Sequence, residues 1–141
     1  MTFLRVGQVF ANPCVAEGED AQTGLGASDL FAELAGIGHL TLSSSEAEQA
    51  GGYPGQRVEI TVNQDALAAC GGLAGAEVPI FGAGDEVWSA ASSERFRLIS
   101  VDVGDQAVTI LPSADYTQTP STPELENLFE LGQRVVDSVG F

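Results

Sequence analysis

Apolar and polar positions fall into short runs along this chain. Residues 3–11, FLRVGQVFA, mix β-branched and aromatic side chains and stop at Asn12-Pro13, which predicts a strand ending in a turn. A polar stretch, VAEGEDAQTGLGA, follows. Ser28 then stands as N-cap, with Asp29 against the helix dipole, for a short helix whose Leu30, Phe31, Leu34 and Ala35 make one apolar stripe. Gly36 and Gly38 end it. Alternation is weak over 39–50 but clear in QRVEITV, where Val58, Ile60 and Val62 alternate with Arg57, Glu59 and Thr61 as in a half-buried strand. With Gly51-Gly52-Tyr53-Pro54-Gly55 as a turn cluster, residues 45–62 read as a hairpin.

Residues 64–76 predict one helical turn followed by a flexible loop, and VPIFG, EVWSA and RFRLISVDV are further apolar runs. In the last of these Phe96 and Leu98 give way to Ile99, Val101 and Val103, a change of phase that reads as a bulge. Gly104-Asp105 turns into QAVTIL and closes a second hairpin. Towards the C-terminus Ser121 and Glu124 fit a capping box and Pro123 sits in the first turn. Leu125, Leu128, Phe129, Gly132, Val135 and Val136 then keep helical spacing. These elements predict a single α+β domain over 1–141: a curved, mainly antiparallel sheet with the short helix of the N-terminal half and a longer C-terminal helix packed on it.

Composition narrows what such a domain does. At 141 residues and 44% hydrophobic content the chain can build one core. Twenty acids face five arginines and no lysine, for a net charge of −15. That field repels nucleic acid and anionic membranes, and no basic stripe opposes it. No apolar run approaches the roughly 18 residues of a membrane span. Cations and basic partners remain open, and so does an acidic surface that only maintains solubility. The N-terminus, with Arg5 inside its short apolar stretch, does not read as a signal peptide, so the expectation is either an internal protein or a mature part supplied with a start Met. Cys14 and Cys70 are compatible with one disulfide or with two buried thiols.

The order VGQVFANPC, GASDLFAELAG, GGYPGQRVEITV, Cys70, Trp88, RLISVDVGDQAVTI and ELENLFELGQRVVDSVGF resembles an uncharacterised domain found in exported proteins of actinobacteria and related bacteria. That domain's pattern runs roughly VxADPC, GxSVxDLxxAL, GYPGKxVELTVP, Cys, Trp, RLxxLDVDG and a closing helix ending IVDSI. The resemblance covers nearly the whole chain. Asn12 stands where an Asp is typical, Gly104-Asp105 replaces Asp-Gly, and the family's additional first strand with its Gly-Trp pair is missing. The closing helix also looks like the PsbP-like class of α/β domains, by fold analogy. The resemblance implies export to an extracellular or cell-surface location, a Cys14–Cys70 disulfide, and a non-catalytic sensing or binding role.

No catalytic motif is present in the sequence. The one histidine, His39, follows Gly38, and no spacing argument joins it to Ser43, Ser44 or Ser45 as a hydrolytic set. The glycines at 18, 24, 26 and 36 follow no clear strand and do not form a phosphate-cradling loop. Glu17, Glu19 and Asp20 crowd one loop that a hard cation such as Ca²⁺ could recruit, although the spacing is not that of an EF-hand. Tyr53, in its Gly- and Pro-rich turn, is the candidate recognition residue, and Trp88 reads as core. The expected function is therefore a non-catalytic exported binding or sensing module without a cofactor. The alternatives are a structural subunit that completes a homo- or hetero-assembly through a sheet edge, and a cation-binding domain using the loop 17–20.

Overall fold

In a computed structural model of the chain, residues 2–14, 27–71, 77–104, 106–111 and 122–138 are described, apart from the side chains at 27, 28, 122, 124, 125, 128, 129, 132 and 135. Nine strands form among them: β1 (Thr2–Leu4), β2 (Gln8–Val9), β3 (Leu40–Leu42), β4 (Glu46–Ala50), β5 (Tyr53–Val62), β6 (Val78–Ala83), β7 (Glu86–Ala90), β8 (Arg95–Val103) and β9 (Gln106–Leu111). The two helices are α1 (Ala27–Ala35) and α2 (Thr122–Ser138). The expected α+β domain, one curved sheet carrying two helices, is corrected by this inventory: the fold is mostly β, with helix as the minor component. Its strands also divide between two sheets. The larger runs β1-β9-β8-β5-β3 with β4 also on β5, and the smaller runs β2-β6-β7.

The stretch read as one strand over 3–11 is the hinge between the sheets. Thr2 to Leu4 pair with Leu111 to Thr109 of β9, whereas Gln8 and Val9 pair with Gly82 and Phe81 of β6. The chain changes sheet over residues 5–7, where the Gly7 amide donates to the Gly82 carbonyl at 2.9 Å. Sequence pattern marks a segment as extended but carries no information about its partner.

The phase change in β8 is not a bulge. Register with β5 is continuous from Gly55↔Val101 to Thr61↔Arg95, and with β9 from Ile99↔Ile110 to Val103↔Gln106. Both faces of the strand are buried instead. Phe96 and Leu98 enter the main core with Val58, Ile60, Val62, the α1 residues Leu30, Phe31 and Leu34, and Val78, Ile80 and Phe81 of the small sheet. Ile99 and Val101 point the other way, into a second cluster with Ala50, Ile110 and Val136 of α2. The register irregularity of this protein lies elsewhere, between Pro79 and Phe81 where β6 meets β7.

The first hairpin turns more tightly than the sequence cluster suggests. Gly51 (φ 58°) and Gly52 (φ 82°) are its two central residues, and Ala50 pairs directly with Tyr53. Positive φ at both positions is what a two-residue type I′ turn requires. Tyr53, Pro54 and Gly55 consequently belong to β5. Pro54 loses no ladder bond there, because pairing with β8 begins only at Gly55.

Trp88 packs against the main core, stacked on Phe81 with ring centroids 5.0 Å apart and edge-on to Phe96 at 4.6 Å. Cys14 and Cys70 are disulfide-bonded, with Cα atoms 5.4 Å apart. The bond fastens the segment after β2 to the 3₁₀ turn Ala68–Cys70 that follows β5. Helix α1 is described from Ala27 onward, and the side chain of Ser28, read as its cap, lies outside what is described. Ser121, Asp105 and the side chains of Glu124, Leu125, Leu128, Phe129, Gly132 and Val135 lie outside the described residues. No helix among the described residues is long and apolar enough to cross a membrane.

Candidate functional site

The face of the large sheet that carries the second cluster is apolar at one end and charged at the other. Strand alternation sets Arg57, Glu59 and Thr61 of β5 on this face, and register places them opposite Ile99, Arg97 and Arg95 of β8. On the other flank of β5, Glu46 of β4 sits opposite Arg57. Three of the chain's five arginines thus meet on neighbouring strands.

The charges interlock. Glu59 accepts from Arg95 Nε at 3.1 Å and from Arg95 Nη2 on its Oε2, while Arg97 Nη2 donates to its Oε1 at 2.7 Å. Arg95 reaches further, to Glu126 of α2 at 3.0 Å. Arg57 donates through both Nε, at 2.9 Å, and Nη2 to one and the same oxygen of Glu46, Oε2, and its Nη1 lies 3.4 Å from Glu48. The Arg97 side chain is 11% exposed and Glu59 26%, against 58% for Glu46. Two members of the lattice are therefore held within the sheet surface, and one stands at its rim.

Between them opens a cleft of about 200 Å³ lined by Ser43, Ser44, Glu46, Arg57, Val58, Glu59 and Arg97. Ser43 is locked by backbone: its hydroxyl donates to the Ser44 carbonyl and accepts the Glu59 amide, each at 3.0 Å. Neither bond involves His39, which sits in the turn before β3 and whose carbonyl accepts the Asn63 amide at 2.9 Å. Burial pushes the His39 pKa down, favouring the neutral ring.

Two carboxylates respond to their surroundings in opposite senses. Burial alone would raise the Glu59 pKa, but the hydrogen bonds and charges of Arg95 and Arg97 together outweigh it and hold the group below the usual carboxylate range. Glu94, at the end of the turn entering β8, is pushed up by burial and by Glu77, against a bond from the Ala91 amide at 2.7 Å. The stability that Glu59 contributes is therefore present above the ordinary Glu pKa of about 4.3 and is lost as pH falls through its depressed value. Glu94 works the other way: its contribution is complete below about pH 4.3 and is lost as pH rises through the raised value. Glu59→Gln should destabilise the protein at pH 7, and the penalty should shrink towards pH 3. Glu94→Gln should stabilise it at pH 7 and lose that advantage below pH 4. Urea denaturation of both variants at pH 7 and pH 3.5 decides the matter, and parallel shifts at the two pH values would contradict it.

Of the candidates read from sequence, Ser43 and Ser44 line this cleft and Tyr53 does not. Tyr53 is half-buried at the start of β5, packed against the second cluster with Val103 and Val108. The loop with Glu17, Glu19 and Asp20 lies outside the described residues, and among those described no group of three or more His, Cys, Asp or Glu side chains could hold a metal ion. Pattern reading took Arg57 and Glu59 only as the solvent side of a strand. The available signal was the alternation itself: R-x-E in β5 and R-x-R in β8 put charge at consecutive same-face positions, while the interleaved Val58, Ile60, Phe96 and Leu98 of the other face are apolar. No family profile, no curated protein and no solved structure matches the chain.

Proposed function

We propose that this protein is a non-catalytic binding module, exported and held oxidised by its disulfide, that takes a small polar ligand in the cleft at the charged end of the large sheet. The observation that carries the reading is the gathering of Arg57, Arg97, Glu46 and Glu59 around one open cavity in a chain with so few cations. Ligand sites are commonly concave places where a few fixed polar groups converge on a rigid scaffold. At about 200 Å³ the cleft suits a metabolite-sized molecule rather than a drug-sized one. Catalysis is disfavoured because Glu59, kept ionised by two guanidiniums, is a weak base, and the Ser43 hydroxyl is committed to backbone. The Cys14–Cys70 bond supports an oxidising location.

A thermal-shift screen against amino acids, hydroxy acids, sugars and polyamines tests the reading. At least one class should raise Tm saturably, and the rise should vanish in Arg57→Gln, a half-buried site whose replacement leaves the core intact. A screen without hits, or hits that survive the substitution, would refute it. The competing reading, assembly through a sheet edge, has one observation in its favour: Phe3 is 47% exposed on the edge strand β1. Concentration-dependent NMR shifts confined to β1 and β9 would support it.

A further inference from the structure

Building on that binding reading, we propose that the ligand is a small carboxylate bearing a hydroxyl or amino group, and that Glu46 is an internal stand-in occupying the ligand's place on Arg57. The argument starts from how the two groups meet. A guanidinium presents a planar fork whose strongest partner is a carboxylate giving one oxygen to each prong. Arg57 points Nε and Nη2 at Glu46, yet both reach the single oxygen Oε2. The fork is filled without being matched, and an incoming carboxylate can improve on that geometry by forming two parallel bonds.

Of the two carboxylates lining the cleft, Glu46 is cheap to displace and Glu59 is not. Glu46 is the most solvent-exposed carboxylate of the cleft, on the outer strand β4, and exposed ion pairs are weak. Glu59 is gripped by Arg95 and Arg97, so those two arginines stay committed when a ligand enters. Once Glu46 swings out, Arg57 keeps only the longer 3.4 Å approach to Glu48, which maintains its position without saturating it. The rest of the lining fixes the remainder of the ligand. Ser44 offers a hydroxyl on one wall, and Ser43, whose proton is spent on the Ser44 carbonyl, keeps a lone pair that can accept a ligand hydroxyl or ammonium hydrogen. An anion with no second polar group would leave that wall unused.

Isothermal titration and amide NMR with citrate, lactate and glutamate, in about 0.15 M NaCl to screen the overall negative charge, provide the test. The expected result is saturable binding of at least one carboxylate, with shifts localised to residues 43–46, 57–59 and 97. Glu46→Gln should bind it about two- to fivefold more tightly, because the competing exposed ion pair is gone. Arg57→Lys, which keeps the charge but not the fork, should bind it about tenfold more weakly. Equal or weaker binding by Glu46→Gln would overturn the stand-in role. Saturable shifts at the same residues with spermidine or glucose, but with none of the carboxylates, would overturn the ligand class while leaving the binding reading intact. No response at these residues to any of the five compounds would overturn both and leave the lattice as a purely structural clasp.

Discussion

Replacing Gly55 by alanine should lower stability by about 3 kcal/mol or more, although the change adds one methyl group to a half-buried strand position. Gly55 faces Val101 across the β5–β8 ladder, and a Cβ at this position would lie 2.2 Å from the Ser100 carbonyl oxygen and 2.7 Å from both Cα and Cγ1 of Val101. Two of these three atoms are backbone, so no rotamer change relieves the overlap. The two longest strands of the large sheet would have to separate where Ile99 and Val101 seal the second cluster. Denaturant midpoints of wild type and Gly55→Ala measure the effect. A loss below about 1 kcal/mol would show that β5 can shift away from β8 at low cost.

Removing the disulfide should cost about 4 kcal/mol. Cys14 and Cys70 are 56 residues apart in sequence, and closing a loop of that length removes this much conformational freedom from the unfolded chain on the entropy estimate. The bond also joins segments that leave different sheets, β2 of the small one and β5 of the large one. Its loss therefore acts on sheet-to-sheet packing as well as on the unfolded state. The variant Cys14→Ser/Cys70→Ser should show a matching fall in urea midpoint together with a rise in slope, since the unlinked chain exposes more surface when unfolded. An unchanged midpoint would mean that the core alone holds the two sheets together.

How much of this was readable beforehand depended on whether the controlling interaction was local. Val58, Ile60 and Val62 alternate cleanly and form the core face of β5; the helical spacing around Val136 falls within α2. Where a second face is buried, the same rule misled: Ile99 and Val101 looked like a slip in phase because a strand covered by α1 and the small sheet on one side and α2 on the other has no solvent side to mark. The turn at Gly51-Gly52 was blurred by Tyr53-Pro54-Gly55, whose Gly serves close strand approach, not chain reversal. The charged cleft was the least legible feature. Glu46 meets Arg57, and Glu59 meets Arg97, only through register, which is decided by the whole sheet and not by neighbours in sequence.

The pairing of β1 with β9 bears on how the chain is made. Thr2 finds its partner only at Leu111, so β1 cannot pair until every strand from β2 to β8 has been made. At a synthesis rate of about 5–20 residues per second, β1 waits several seconds or more with its apolar residues unshielded while β3, β5 and β8 assemble. Closure of so long a loop is slow to nucleate compared with the hairpins β4–β5 and β8–β9. Until β9 is made, β1 has no strand to pair with, and the nascent chain carries it unpaired beside the hairpins already formed. Anything that holds β1 back keeps the sheet open beside β9 without unfolding the hairpins that have already formed.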